Sequence, residues 1–166
     1  KNRDFLNLFS YTCTASVHAA MGGARSTTSV DMSTTYLNWG RKNLTLNGFS
    51  EQNHEFIQAD CLQWLKNARK SANRYDVIFM DPPSFSNSKR MDGVLDVQRD
   101  HVELIQQCMD ILRPGGQLIF STNYRRFKIE RDALKQFDID DVSVKSLPKD
   151  FSRNAKIHQC YIIEHG

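Results

Sequence analysis

No apolar run in this sequence approaches the ~18 residues a membrane-crossing helix requires; the longest, at 77–80 and 118–120, are only strand-sized. Cysteine is sparse. The four, Cys13, Cys61, Cys108 and Cys160, are widely spaced and form no CxxC pair. Neither a zinc site nor a disulfide scaffold is therefore expected, and no metal; reduced thiols in a cytoplasmic protein fit this usage. Low-complexity tracts are missing, and 40% hydrophobic with 25% charged residues excludes a disordered chain. Charge of one sign is not dominant either, because 22 Lys and Arg against 19 Asp and Glu leave a net charge of +3. That excess by itself identifies no nucleic-acid partner. An initiating Met and a leader segment are also missing, since the chain opens "KNRDFLNLF" straight into a strand-like run. The expectation is one domain over 1–166, cut from a longer protein whose upstream part is missing, with no membrane association.

What is present is alternation. Apolar runs of strand length at 5–9, 26–30, 55–59, 75–80 and 117–122 are separated by segments of helical period, the pattern of a parallel sheet covered by helices on both faces. Ser33 or Thr34 is placed to cap the second helix and Gly48 to end it. A helix is expected near 130–136, and then two closing strands, within 141–147 and 157–165, with a loop and no helix between them. A dinucleotide dehydrogenase would keep alternating to a sixth parallel strand. The helix-free ending fits the methyltransferase variant of the doubly wound sheet better.

Acids stand at three strand ends: Asp31, Asp60 and Asp81. Each by itself reads equally well as a helix cap, but ligands of open α/β sheets sit outside the carboxyl ends of the strands. A carboxylate after the second strand can accept both hydroxyls of a ribose. Asp60 can accept from an adenine amine and the Cys61 N–H can meet a ring nitrogen, with Met32 as an apolar wall. Together these residues describe an adenosine pocket. The first turn, "LFSYTCTAS", carries no glycine, although nucleotide-binding turns favour it; Ser10, Thr12 and backbone amides are its available donors.

The fourth strand ends in "MDPPSFSNSKRM". Pro82 and Pro83 remove two backbone donors and hold the segment extended, so it leaves the sheet as a stiff ledge. Pro-Pro also simply terminates strands. With Asp81 before it and Phe85 placed to stack on an extruded base, a substrate site is the better reading.

In order, "FLNLFSYTCTASVHAAMGGA", "SVDMS", "QADCLQWL", "FMDPPSFSNSKRM", "LRPGGQLIFSTNYRRF" and the late "DFSRNAKIHQC" resemble the class I S-adenosylmethionine-dependent methyltransferases. More narrowly, they resemble the C-terminal methyltransferase domains of bifunctional large-subunit rRNA guanine methyltransferases, which act on N7 of a guanine in 23S rRNA. The resemblance implies a Rossmann-like α/β fold with a seven-stranded, mostly parallel sheet and an antiparallel last strand. It also implies S-adenosylmethionine as cofactor, 23S rRNA or a large-subunit precursor as substrate, and an upstream domain of the same polypeptide as partner. The cofactor residues it implies are Ser10, Tyr11, Thr12, Asp31, Met32, Asp60, Cys61 and Asp81, and the target-base loop is Asp81, Pro82, Pro83, Ser84 and Phe85, with Asp81, Pro82, Pro83 and Phe85 at the reacting base. Cys13 departs from the glycine usual in that turn and is expected to crowd the methionine moiety.

Carbon-5 methylation of a pyrimidine needs a thiolate to add to the ring, and no cysteine follows the fourth or fifth strand. Guanine N7 already carries an in-plane lone pair, so proximity at about 3–3.5 Å and exclusion of water suffice. No general base is needed. The five histidines read as structural or surface residues. Lys89, Arg90, Arg125, Arg126 and Arg153 fall in loops that open on one sheet edge and are expected to meet RNA phosphates. Methylation of an exocyclic amino group, and a non-catalytic rRNA-binding module, remain open at this point.

Overall fold

Along β1 (Asp4–Leu8) the side chains alternate: Leu6 and Leu8 are buried in the main core, while Asn7 on the opposite side donates to Ser16 Oγ at 2.9 Å. This period of two, imposed by the pleat, sets the two faces of a three-layer fold. The computed structural model describes residues 1–86 and 94–166. In chain order it shows β1, α1 (Thr14–Met21), β2 (Ser26–Asp31), α2 (Thr34–Leu46), β3 (His54–Gln58), α3 (Cys61–Ala68) and β4 (Tyr75–Met80). An antiparallel pair of two-residue strands, β5 (Phe85–Ser86) with β6 (Leu95–Asp96), leads to α4 (Val97–Asp110), β7 (Leu112–Thr122), β8 (Phe137–Asp141), α5 (Ser143–Ser146) and β9 (Gln159–His165).

Seven strands form one sheet in the order β3-β2-β1-β4-β7-β9-β8, with β9 alone running opposite to the other six. The expected class I sheet is therefore observed. Val17 and Ala20 of α1 meet Leu44 of α2 in a small cluster on one face. Leu65 of α3 and Leu104, Ile105 and Cys108 of α4 join Leu6, Ile78 and Phe120 in the main core on the other. On α4 the buried positions recur at three and four residues, as an amphipathic helix against a sheet requires.

The chain steps outward from β1 to β3, then returns to β4 beside β1. The carboxyl ends of β1 and β4 consequently flank the crevice that opens where strand order reverses. Side-chain caps start the helices around it: Ser33 Oγ accepts from Tyr36 N, Asp60 from Leu62 N, and Asp96 from Gln98 N and Arg99 N.

The closing segment differs from expectation. The strand expected within 141–147 lies earlier, at Phe137–Asp141, where Phe137 and Ile139 pack on the core. Asp141 Oδ1 accepts from both Ser143 N and Ser143 Oγ, a local bond that turns the chain out of the strand; residues 143–146 form one helical turn and Val144 is exposed. The helix expected near 130–136 is a single 3-10 turn, Arg131–Leu134, that buries Leu134. The connection before β9 contains a 3-10 segment, Lys149–Ile157, instead of a plain loop. Strand β7 begins at Leu112, ahead of the expected 117, and its pairing with β4 slips between Tyr75 and Val77. Gly116 makes this possible, because a Cβ there would sit 2.8 Å from the Asp76 carbonyl oxygen.

Among the described residues, no helix is long and apolar enough to cross a membrane.

Candidate active site

A cleft of about 820 Å³ lies at the carboxyl ends of the strands, within the size range of small-molecule and cofactor sites. Asp31, Met32, Asp60 and Cys61 line one end; Asp81, Pro82, Pro83 and Phe85 line the other; Phe9 and Tyr11 lie on the wall as well. Three separate strand ends, each carrying one of the three acids, thus converge.

Asp31 is already engaged. Its Oδ2 accepts from Tyr11 N and its Oδ1 from Ser33 N, both at 2.9 Å. A carboxylate has about four acceptor positions, so each oxygen retains one for a diol. The first turn is bent without glycine: Phe9, Tyr11 and Cys13 have φ of 55°, 47° and 59°. Left-handed backbone costs a non-glycine residue about 1–2 kcal/mol, and the Tyr11 N–H bond to Asp31 helps hold it there. Ser10 and Thr12 are not brought to the cleft wall. Ser10 is buried, with its N–H on the Val30 carbonyl and its hydroxyl beside Cys13 Sγ, and the Thr12 carbonyl accepts from Asn43 Nδ2. Both shape the turn.

Cys13 does not crowd the cleft. Its side chain is fully buried and turned toward α2, where a Cβ at Gly40 would lie 2.5 Å from Cys13 Sγ. The glycine missing from the turn is matched by one on the helix behind it. Burial pushes the Cys13 thiol up from its ordinary value, with Ser10 and Ser29 pulling it back.

Asp60 performs two jobs, capping α3 through Leu62 N at 2.9 Å and lining the cleft. The Cys61 thiol is locked between Phe9 N, which donates to it, and the Val30 carbonyl. Burial pushes it well above the usual thiol range. The Cys61 N–H belongs to the first turn of α3, where backbone donors lack intrahelical partners. All four cysteines are buried and free. No thiol is among the residues lining the ledge end of the cleft.

Asp81 opens onto the cleft mouth, yet surrounding protein crowds it and raises its carboxyl above the ordinary value; a Ser121 hydroxyl bond and attraction from His158 oppose that rise. Pro82 is buried, Pro83 exposed and Phe85 60% exposed, so the ring stands out from the ledge. The Ser84 carbonyl accepts from Val97 N, and the Ser84 hydroxyl donates to Asn123 Oδ1 at 2.9 Å. The ledge is thereby tied to both α4 and β7.

Arg125 and Arg126 are exposed on the turn after Asn123, and Arg153 is exposed in the connection whose end, Gln159, pairs with Thr122. These three share the cleft's edge of the sheet. Lys89 and Arg90 lie outside the described residues. Three of the histidines read as structural are anchored in the fold: His101 is buried between the Gln98 carbonyl and Glu130 N, His54 bonds Thr27 and His158 bonds Ser146. Sequence reasoning placed Ser84 in the target-base loop but missed Tyr36 and Asn123 as lining residues. Tyr36 had a signal, being one helical turn beyond the Ser33 cap. Asn123 had one too, since it follows the strand beside β4.

The order of strands across the edge gives the cleft a direction. Asp31 and Asp60 lie over β2 and β3, the bent turn over β1 and the ledge over β4. A family model described as S-adenosylmethionine-dependent methyltransferase matches residues 1–139. The chain belongs to this family. S-adenosylmethionine is accordingly the cofactor of this methyltransferase, and the residues fit it: Asp31 keeps free acceptor positions for a ribose, and Asp60 and Cys61 line the same cleft.

The methyltransferase chain is 58% identical over 161 residues to the ribosomal RNA large subunit methyltransferase K/L of Allochromatium vinosum, covering 97% of this chain and 22% of that protein. The protein of the same name from Cellvibrio japonicus is 58% identical over 165 residues, covering 99% and 22%. The crystal structure of SMU.776, a methyltransferase complexed with SAH, matches with a TM-score of 0.84 at 31% identity, over 98% of this chain and 45% of that one. The chain therefore spans about a fifth of the length of the curated relatives it matches.

Proposed function

We propose that this chain is the methyltransferase module of a longer cytoplasmic polypeptide and that it methylates N7 of a guanine in 23S rRNA. The observation that carries the reading is the single cleft in which the adenosine-binding acids and the Asp81–Pro82–Pro83–Phe85 ledge meet. The names of relatives 58% identical to it supply the large-subunit RNA.

Asp31 holds the ribose hydroxyls, Asp60 and the Cys61 N–H read the adenine edge, and Met32 and Tyr36 wall the base. When bound, S-adenosylmethionine would supply an electrophilic methyl on a sulfonium, and its transfer to N7 would leave that positive charge on the purine. Asp81 places a carboxylate where that charge arrives. Pro82 and Pro83 hold the ledge rigid, Phe85 stacks on the extruded base, and Arg125, Arg126 and Arg153 contact phosphates around it. Preorganisation carries the reaction. No residue has to remove a proton before N7 attacks.

One observation favours a second reading. Ledge carbonyls accept hydrogen bonds, as an exocyclic amine would require, which makes amino-group methylation the alternative. Carbon-5 chemistry lacks support because no thiol lines the ledge among the described residues. Cys13 is turned from the cleft, which supports a working cofactor site over a non-catalytic RNA-binding module.

The deciding experiment maps 23S rRNA modification in cells lacking the parent protein and in cells restored with wild type or Asp81→Ala, using nucleoside mass spectrometry. Loss of one 7-methylguanosine, restored by wild type alone, is expected. Loss of an amino-methylated nucleoside would replace the N7 reading by the alternative.

A further inference from the structure

Asn123 follows β7 and lines the cleft next to the ledge. The Ser84 hydroxyl donates to its Oδ1 at 2.9 Å, linking positions 39 residues apart. In this arrangement Oδ1 is turned to the ledge, and Nδ2, which can only donate, is left for another partner.

The surroundings make this consequential. Pro82 and Pro83 have no N–H, so the ledge backbone at these positions presents carbonyl acceptors alone, and Asp81 adds a carboxylate. The Ser84 proton is committed to Asn123. Ser86 also lines the cleft, but a hydroxyl donates or accepts as required and discriminates nothing. A base entering here meets acceptors on the β4 side and a dedicated donor on the β7 side.

We propose that Asn123 selects guanine by donating from Nδ2 to O6 of the target base; this rests on the N7 reading above. The two purines differ on the edge that carries N7. Guanine presents N7 and O6, both acceptors, whereas adenine presents N7 and an N6 amino donor. With N7 directed at the methyl group, the substituent on C6 lies beside it on the same edge. A guanine oxygen there gains nothing from carbonyls or from Asp81 and needs a donor, which Asn123 supplies. An adenine amine would oppose the Asn123 N–H, and the donor would be left unpaired. Ser84 is the positioning residue, because its bond to Oδ1 holds the amide against the ledge with Nδ2 free to donate. The bond to O6 exists before and during transfer, so it acts on recognition and shows in kcat/KM and RNA affinity more than in kcat.

The test uses the full-length parent polypeptide and an rRNA fragment containing the mapped target. The fragment carries at that position either guanine or 2-aminopurine, which keeps N7 and lacks O6. The wild-type product is identified first; anything other than an N7-methylated base overturns the N7 reading, and this inference with it. Given an N7 product, wild type is expected to prefer guanine over 2-aminopurine about 10- to 100-fold in kcat/KM, and to bind it more tightly without cofactor. Asn123→Ala is expected to lose that preference, because the bond is already gone, while keeping wild-type affinity for S-adenosylmethionine. Asn123→Asp is expected to disfavour guanine further, and Ser84→Ala to reduce the preference by less than Asn123→Ala. An N7 product with no wild-type preference for guanine overturns the proposal while leaving the N7 reading intact. So does undiminished preference in Asn123→Ala, or unchanged guanine affinity in Asn123→Asp.

Discussion

At the amino-terminal rim of the sheet, acids are neutralised. Arg25 pairs with Asp4, and Arg113 bridges Asp4 at 2.9 Å and Asp76 at 2.8 Å. Asp4 is held well below the usual carboxylate range, chiefly by the Arg25 hydrogen bond. At the carboxyl rim of the same strands, Asp31, Asp60 and Asp81 have no ion-pair partner among the described residues; the first two accept backbone N–H groups, and crowding raises the third. One rim uses its charges to hold strands together. The other keeps carboxylates available beside a turn in which Phe9, Tyr11 and Cys13 are all left-handed. Strain and unpaired charge gather where a ligand repays them.

The contrast predicts that substitutions at the two rims separate activity from stability. The largest effect is expected at Asp81. Asp81→Asn should lower methyl transfer about 100- to 1,000-fold, the scale on which a preorganised electrostatic group matters. Its melting temperature at pH 7 should equal or exceed wild type. The sign follows from its raised carboxyl: folding disfavours the charged form, so the native state carries a cost once pH exceeds the folded value, and asparagine removes it. That stability difference should vanish in acid, where the carboxyl is protonated in both states. A clear loss of stability at neutral pH would place Asp81 with the structural acids.

Asp31→Ala should follow, weakening S-adenosylmethionine binding about 10- to 100-fold by calorimetry, since hydrogen bonds to a charged group are worth about 1.5–3 kcal/mol. It should also loosen the turn, because Tyr11 N and Ser33 N lose their acceptor. Preserved affinity would show that the diol is held elsewhere.

The opposite outcome is expected at the other rim. Asp4→Asn should cost about 2 kcal/mol in denaturant unfolding at pH 7, in the range for charge-assisted bonds that are partly exposed. Cofactor affinity should not change. Because folding lowers the Asp4 carboxyl, its contribution is complete above the unfolded carboxylate range and declines as pH falls below it toward the folded value. Wild type and variant should therefore converge in strong acid. A constant gap across that range would show that packing, and not charge, accounts for the loss.

How much of either rim could be read from the sequence depended on how local its causes are. The alternating strands up to β4, the Ser33 cap and the three strand-end acids were legible because each rests on residues a few positions apart. The closing strand was misplaced because Asp141 and Ser143 form a bond that competes with strand pairing, while Val142 and Val144 imitate a strand pattern. The Ser84–Asn123 bond and the two-arginine network span 39 residues or more in part, and no periodicity encodes them. Asn123 was visible only as the position where a cysteine is missing. Its identity as a donor had meaning once the ledge stood beside it.

The smallest expected effect concerns the turn itself. Cys13 occupies a left-handed position and packs where Gly40 leaves space: a Cβ at Gly40 would meet Cys13 Sγ at 2.5 Å and Cys13 Cβ at 2.8 Å. Helix propensity alone predicts that Gly40→Ala stabilises α2 by about 1 kcal/mol. Overpacking against Cys13 predicts a loss of about 1–3 kcal/mol instead. Cys13→Gly should change stability by less than about 1 kcal/mol, because relief of left-handed strain offsets the lost burial of the thiol. The double substitution should recover what Gly40→Ala loses and then gain the helix propensity, a coupling readable in a denaturant double-mutant cycle. Additive effects, or stabilisation by Gly40→Ala alone, would mean that the thiol does not fill that space. Full recovery would show that the bend at the active rim is maintained by a two-residue exchange, with the small residue moved from the turn to the helix behind it and the cleft left open.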